Sequence, residues 1–340
     1  MRGFIEMSKY AGMREDLVQA GGGNSSYKCE KNRMVIKASG YQLTEISEQR
    51  GYAIVNPEVI ANAFLENDNI DIMTEADSKR ILKEAFIEGD KPSIETFLHS
   101  ISGKYTLHTH PIVVNTLTCR KDGMQVLKSL FPDALIVPYA TPGVELAKAY
   151  FKAYSKNKEE VGVVFLQNHG LLVSGETAES VINKTEDIVR CLEKYLDINL
   201  SRYHNVTVLY NVIRDGVVWN VTDKNVLDVY YKLDKLWEHT FCPDCIVFLG
   251  KKVCVAERDF CREDLDKFMS SWGKPVIFAY ENELYINAET VKKSLEIQSV
   301  LSFSAQVMSL NEEYECNFLS EEEQNFLLDW DAEKYRKNMK

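Results

Sequence analysis

Three histidines are the residues of this chain whose type and spacing point most directly to chemistry. His108 and His110 form an H-x-H triplet, and His169 lies in a second apolar stretch, residues 164–170. Side chains alternate between the two faces of a β-strand, so both histidines of the triplet point the same way and can bind one ion. A third imidazole from another apolar strand would complete three protein ligands and leave a coordination position open, as catalytic zinc requires.

Each histidine also has a simpler interpretation, as a core side chain that is hydrogen-bonded within the protein. That interpretation suits a lone residue such as His169. The triplet is different. Two imidazoles that are buried side by side do not readily share a proton, and a cation bound between them would resolve this. The spacing of His108 and His110 therefore favours a metal site, with His169 as the third ligand.

Glu95 is the carboxylate best placed to work beside such a site. It precedes the H-x-H strand and is expected in the first turn of a helix that begins near Pro92 and Ser93. The helix dipole and free backbone N–H groups stabilise a carboxylate there, and it can serve as a general base at the end of the sheet. The alternative is an ordinary first-turn glutamate. His99 shares the helix face of Glu95 and could orient it, but we expect His99 to pack inward.

Two glycine-rich loops offer groups that bind anions. Residues 21–26 read G-G-G-N-S-S and residues 37–40 read K-A-S-G, while Ser93 lies at a helix start. Successive backbone amides and a helix N-terminus can form a nest for phosphate. Most glycine-rich loops are only turns, and the first loop lacks the G-K-[ST] ending of a P-loop.

The elements that position these groups alternate between strands and helices. The patterns predict an opening helix over 5–20, a hairpin over 27–37, helices at 78–88 and 93–101, the H-x-H strand, a helix at 115–119, a strand at 135–137, a helix at 144–154, strands at 161–166 and 170–175, and an amphipathic helix at 178–196. Strands interleaved with helices predict an α/β layered domain, to which we assign residues 1–207.

Residues 208–340 predict a compact α+β unit with a less regular pattern. The expected elements are a helix at 226–237, strands at 245–248 and 252–256, a helix at 262–272, a hairpin around Glu281-Asn282, and helices at 289–309 and 321–340.

Composition excludes several classes of protein. The net charge of -11 argues against a general nucleic-acid surface, which needs a basic stripe, but a local pocket can still bind a small anion. No apolar run is long enough to span a membrane and the N-terminus lacks a signal-peptide pattern, so we expect a cytoplasmic protein.

The eight scattered cysteines are expected to be reduced. Cys242 and Cys245 have the spacing of a redox motif or half a zinc site, but without a second C-x-x-C we expect a turn at a strand start.

Five short motifs occur in an order that resembles the class II aldolase/adducin family: G-G-G-N-S-S, K-A-S-G, P-S-x-E, H-T-H-P and N-H-G. The resemblance covers about residues 5–205. Pro243-Asp244, the hairpin near Glu281 and the tail at 328–336 resemble a longer bacterial branch, in which the aldolase part of rhamnulose-phosphate aldolase proteins is fused to a short-chain dehydrogenase.

The resemblance implies a three-layer α/β/α class II aldolase-like domain with a smaller C-terminal α+β unit. It makes His108, His110 and His169 the ligands of a divalent metal, usually zinc, and Glu95 the acid/base carboxylate. It also implies a homo-oligomer, commonly a tetramer. The phosphate-binding groups that it implies are Asn24, Ser39, Gly40 and Ser93. One departure is Ile94, which stands where aldolases often have a second phosphate-binding serine, and Tyr41 and Tyr139 are both candidates for the proton-donating tyrosine.

The function that the resemblance implies is a lyase that cleaves a ketose phosphate, or a related sugar phosphate, through a metal-stabilised enediolate. Dehydration or epimerisation of a sugar phosphate at the same site is the alternative, and glutamate rather than aspartate at position 95 favours aldolase or dehydratase over epimerase. A non-catalytic scaffold like that of adducin is a third possibility. It is disfavoured because all three histidines are present.

Overall fold

The computed structural model describes residues 1–30, 32–66, 70–156, 161–228 and 240–330. The chain folds into two compact units, Met1–Leu200 and Ser201–Lys340. The division into domains 1–207 and 208–340 stays a prediction, with a boundary a few residues further along the chain. Among the described helices, none combines the length and apolar character needed to cross a bilayer.

The first unit is built on one sheet of eight strands. They are β1 Asn24–Cys29, β2 Arg33–Lys37, β3 Tyr52–Val55, β4 Phe86–Gly89, β5 Tyr105–Thr109, β6 Leu135–Val137, β7 Val163–Leu166 and β8 Gly170–Gly175. Their order is β4-β3-β2-β1-β5-β8-β7-β6, and all neighbours are antiparallel except β6 and β7. The strand that carries His108, β5, therefore lies inside the sheet, with a hydrogen-bonded neighbour on each side.

Helices cover both faces of this sheet. They are α1 Arg2–Gly12, α2 Pro57–Leu65, α3 Glu75–Ala85, α4 Thr96–Ser100, α5 Ile112–Thr118, α6 Gly123–Leu130, α7 Val144–Ser155 and α8 Ala178–Leu196. On one face α2, α3, α4 and α7 share a core with strand residues such as Ile36, Val55 and Leu172. On the other face α8 contacts both α1 and α5, and all three helices contact the central strands. The predicted three-layer α/β/α architecture is confirmed.

Several local predictions in this unit are wrong. The helix predicted at 78–88 ends at Ala85, and the next residues form β4. The opening helix ends at Gly12, and residues 13–20 form turns rather than continuing it. Met13, Leu17 and Val18 have the spacing of a helix because all three are buried. The backbone between them nevertheless forms a turn, which also buries the charged side chain of Arg14. The fourth helix begins only at Thr96, with Glu95 at its N-cap position rather than in its first turn.

The second unit contains a four-stranded sheet with helices around it. The strands are β9 Val217–Asn220, β10 Cys254–Ala256, β11 Ile277–Tyr280 and β12 Glu283–Ala288, in the order β10-β11-β12-β9. The helices are α9 Ser201–Ile213, α10 Lys224–Leu227, α11 Pro243–Leu249, α12 Arg262–Trp272, α13 Val291–Leu310 and α14 Glu321–Asp329. The predicted hairpin turn at Glu281 and Asn282 has φ values of 50° and 62°, the backbone that a two-residue type I′ loop requires.

The strand predicted at 245–248 is wrong, because these residues lie in α11. A run of four apolar residues suits a buried helix as well as a strand, and Pro243 occupies the first helical turn, where its missing N–H costs nothing. Cys242 and Cys245 are free thiols whose sulfur atoms lie 3.2 Å apart at this helix start. The helices predicted at 226–237 and 321–340 lie partly outside the described residues.

Candidate metal centre

Three elements bring the histidines to one end of the central strands. His108 lies in β5, opposite Asn24 of β1 and Leu172 of β8. His110 follows directly after β5. His169 lies in the tight turn between β7 and β8, not on a strand as the sequence suggested, and Asn168 before it has the left-handed φ of 54° that this turn needs.

The side chains of Glu95, His108, His110 and His169, together the histidine cluster, point at one another. The Nε2 atom of His108 lies 3.1 Å from Nε2 of His110 and 3.1 Å from Nε2 of His169. The Oε1 atom of Glu95 lies 3.4 Å from Nε2 of both His108 and His169. One ligand atom from each of the four residues lies within 4.8 Å of the others. Three imidazole nitrogens form a donor set that suits zinc and similar divalent ions, and the carboxylate of Glu95 lies beside them.

The hydrogen bonds of His108 fix the state in which it can bind a cation. Its Nδ1 lies 3.0 Å from the carbonyl oxygen of Leu171. A carbonyl only accepts, so Nδ1–H donates and Nε2 presents its lone pair to the cluster. A histidine held by a backbone carbonyl through its second nitrogen is the usual arrangement of a metal ligand. The cluster thus fits a divalent cation.

The charge states of the cluster also suit metal binding. Burial acts to raise the pKa of Glu95, but the adjacent imidazoles of His108 and His169 outweigh burial and hold that pKa well below its usual range. Burial, together with the neighbouring His108 and His169, lowers the pKa of His110 to about 3. Glu95 is therefore ionised and His110 neutral near pH 7, which are the forms that bind metals.

Glycines allow the backbone to pass close to the histidines. A Cβ atom at Gly170 would lie 2.3 Å from the carbonyl oxygen of Thr109 and 2.9 Å from Cδ2 of His110. Gly23 has a φ of +72°, and a Cβ there would lie 2.6 Å from Cγ1 of Val18. The N-H-G and G-G-G-N motifs are therefore explained by close approach around the cluster.

The residues predicted to bind phosphate lie next to the cluster, on three segments here called the anion loops: residues 21–26, 37–40 and Ser93. The prediction of a loop over 21–26 is wrong in part, because residues 24–26 belong to β1, and residue 37 ends β2. An isolated β-bridge joins Ala38 to Pro92, and the backbone N–H of Ser39 donates to the carbonyl of Lys91, 2.9 Å away. This pairing brings Ser39 and Gly40, both exposed, beside the segment that carries Ser93.

Asn24 and Ser93 have contrasting hydrogen bonds. The hydroxyl of Ser93 accepts from the backbone N–H of Glu95 at 3.3 Å. Asn24 is buried, and its Oδ1 accepts from the N–H of Ser25 at 2.8 Å. Its Nδ2 has no hydrogen-bond partner among the described residues. A buried donor without a partner is costly unless a ligand completes it.

Lys37 is a candidate that sequence reasoning missed. It ends β2 and is only 4% exposed, and its Nζ lies 3.5 Å from the carbonyl oxygen of Gly21 in the first anion loop. Within the described residues, no carboxylate lies in ion-pair distance of it. Burial lowers the pKa of Lys37, while the charges of Glu95 and Glu45 act to raise it. The signal in the sequence was a lysine between an apolar strand and a glycine loop.

Three further candidates lie outside the histidine cluster. His99 is buried as expected, and its Nδ1 lies 2.7 Å from the hydroxyl of Ser26. Tyr139 is 60% exposed, and its backbone N–H donates to the side chain of Gln167, 3.1 Å away, in the turn that carries His169. Tyr41 is half-buried and follows Gly40.

Fold and site together define an α/β/α protein with a candidate metal centre of three histidines and one glutamate. The chain belongs to the family described as Class II Aldolase and Adducin N-terminal domain, whose model matches residues 3–196.

The chain is also similar to several known proteins and solved structures. The N-terminal class II aldolase domain of a conserved protein from Thermoplasma acidophilum is 26% identical, with a TM-score of 0.50, and the match covers 57% of this chain and 92% of that one. A sugar-phosphate aldolase from Thermotoga maritima is 16% identical with a TM-score of 0.41, over 58% of this chain and 94% of that one. An uncharacterized oxidoreductase, YuxG of Bacillus subtilis strain 168, is 26% identical over 58% of this chain. The chain spans only 30% of that relative's length.

Proposed function

We propose that this protein is a metal-dependent aldehyde-lyase of the class II aldolase type, which cleaves a ketose phosphate or a related sugar phosphate. The observation that carries the proposal is the position of Glu95, whose Oε1 lies 3.4 Å from Nε2 of both His108 and His169. An ionised carboxylate at that distance can act on a substrate bound beside the histidines. Membership of the class II aldolase/adducin family supports the same chemistry.

In this proposal the histidines His108, His110 and His169 hold the cation through neutral nitrogen atoms. A divalent cation, which we take to be zinc, would stabilise the negative charge that develops on substrate oxygens as the bond to the neighbouring carbon breaks. Glu95 would carry a proton to and from that carbon through Oε1. In cleavage it would deliver a proton to that carbon, and in condensation the ionised carboxylate would remove that proton.

The anion loops would bind the phosphate. The backbone N–H groups around Gly40, the hydroxyls of Ser39 and Ser93 and the unpartnered Nδ2 of Asn24 supply hydrogen-bond donors, and Lys37 supplies the positive charge. In condensation Tyr139, rather than Tyr41, would donate a proton to the aldehyde oxygen, and in cleavage it would take that proton back from the hydroxyl group that becomes the aldehyde. The support is its exposed ring and the hydrogen bond from its backbone N–H to the turn that carries His169.

A cytoplasmic homo-oligomer, such as the tetramer that the family resemblance implies, stays a prediction.

The test is a panel of ketose 1-phosphates and 5-phosphates, incubated with the metal-loaded protein and assayed for release of an aldehyde. Cleavage is expected to give one equivalent of aldehyde per substrate consumed, and the chelator-treated protein should release none. Consumption of substrate without aldehyde would replace the lyase with a dehydratase or epimerase. A loaded protein that turns over no sugar phosphate would favour a scaffold.

A further inference from the structure

A network of buried charges lies beside the histidine cluster. The side chain of Arg14 is fully buried, and its guanidinium donates two parallel bonds to Asp16, of 2.7 Å to Oδ1 and 2.6 Å to Oδ2. A third bond of 2.5 Å joins it to Oε1 of Glu186 on α8. The hydroxyl of Tyr10 donates to the same oxygen at 2.8 Å. Bidentate geometry of this kind fixes the direction of both partners.

Stability alone does not explain such a network. Removing a guanidinium and two carboxylates from water costs about as much as their attraction returns, and apolar residues of similar size often stabilise a core equally well. A buried ion pair does impose one geometry on the backbone that carries it. Here that backbone is the turn at residues 14–17, in which the N–H of Leu17 donates to the carbonyl of Arg14 at 2.9 Å.

This turn holds the backbone on both sides of Pro111. The N–H of His110 donates to the carbonyl of Leu17 at 2.7 Å, and the N–H of Ile112 donates to the carbonyl of Asp16 at 2.9 Å. Pro111 has no N–H. Every backbone donor from His110 to Ile112 is therefore bonded to the turn that the Arg14–Asp16 pair shapes.

His110 depends on this support more than His108 does. His108 is held within β5 by two neighbouring strands and by the bond from its Nδ1 to Leu171. His110 lies beyond the end of β5, and the described residues offer no hydrogen bond to its Nδ1. The position of its imidazole is thus set through its backbone.

We propose that Arg14, acting through Asp16, is a positioning residue that places His110 for metal binding. This inference rests on the proposed function only in requiring that the histidine cluster binds a cation. It requires no particular substrate or reaction.

The test compares wild-type protein with Arg14→Lys, which keeps the charge but loses the bidentate fork. Asp16→Asn is a second variant in case the first folds poorly. The control is Lys148→Met, which removes another buried cation, one paired with Glu145 on α7.

Zinc affinity is measured by competition with a chelator, and the absorption spectrum of the cobalt-loaded protein reports the ligand geometry. Arg14→Lys is expected to weaken zinc binding about 10- to 100-fold and to alter the cobalt spectrum, as loss of a ligand's supporting contact does. The control should match wild type.

A double-variant cycle separates positioning from general destabilisation. In a His110→Ala background, Arg14→Lys should cost less than 2-fold in zinc affinity, because the residue through which it acts is gone. An equal loss in both backgrounds, or an unchanged affinity and spectrum in Arg14→Lys, would overturn the inference alone. A wild-type protein that binds neither zinc nor cobalt would overturn the proposed function and the inference together.

Discussion

The histidine cluster and the anion loops lie side by side but are built differently. In the cluster, each of four side chains contacts another at 3.1 to 3.4 Å, so its geometry is complete within the protein. In the anion loops, the Nδ2 of Asn24 has no partner among the described residues and Lys37 has one long contact to a carbonyl. The comparison teaches that the cluster is preorganised, as a cation site requires, whereas we expect a substrate to complete the loops. The cluster should therefore determine the reaction, and the loops should determine which molecules enter it.

Replacing Glu95 with glutamine tests the chemical half of this comparison and should have the largest effect. Glutamine keeps the shape but cannot take a proton, so kcat should fall by about 100- to 10,000-fold while metal content stays at the wild-type level. The control is Glu88→Gln, an exposed carboxylate that is paired with Arg33 on the edge of the sheet. Unchanged turnover in Glu95→Gln would remove Glu95 from the mechanism.

Replacing Lys37 with methionine tests the substrate half. Methionine fills similar space without the charge, and loss of a charged hydrogen bond to phosphate should raise KM by roughly 10- to 100-fold. Metal content should not change, since Lys37 is not in the cluster. Lys148→Met, which changes a second buried lysine, should keep the wild-type KM. An unchanged KM in Lys37→Met would mean that its charge does not face the substrate.

His99 lies between the two regions and gives a test by stability. Burial, with a smaller contribution from the charge of His108, lowers the pKa of His99 to about 3, against 6.5 for an exposed histidine. Between these values the unfolded chain binds a proton that the folded protein does not. The free energy of unfolding should therefore fall as the pH drops from about 6.5 towards 3, by about 1.4 kcal/mol per pH unit from this residue.

Urea unfolding of wild type and His99→Gln, both in chelator, measures this contribution. The variant should lose less stability per pH unit, because glutamine does not titrate. His110 remains in both proteins, so its own contribution cancels. Identical slopes would mean that the folded protein can protonate His99 at little cost.

The smallest effect is expected at Ser93. Its hydroxyl accepts a bond from the N–H of Glu95, so alanine removes one neutral donor from the anion loops and loosens one turn. KM should rise about 2- to 10-fold with kcat nearly unchanged. A fall in kcat as large as that of Glu95→Gln would show that Ser93 positions the carboxylate rather than the phosphate.

The same comparison explains what could be predicted from the sequence. The pairing of His108 with His110 follows from the two-residue period of a strand, which local sequence determines. His169 was expected beside them as the third ligand, but on a strand, whereas it lies in the turn between two strands, whose geometry depends on tertiary structure. Lys37 was missed because a lysine at a strand end usually faces solvent, and only the fold buries it.

Burial also explains the errors. Residues 13–20 have the spacing of a helix because a buried turn places Met13, Leu17 and Val18 against the core. The apolar residues 245–248 suit a buried strand as well as a buried helix. They form a helix because tertiary contacts with neighbouring elements decide between the two. Local patterns thus predicted most elements, and tertiary contacts decided the rest.

The most direct test of the account is elemental analysis of the purified protein beside a His108→Ala/His110→Ala double variant. The account predicts near-stoichiometric zinc, or another divalent transition metal, in the wild-type protein and none in a folded double variant. A wild-type protein that remains metal-free after reconstitution would contradict it.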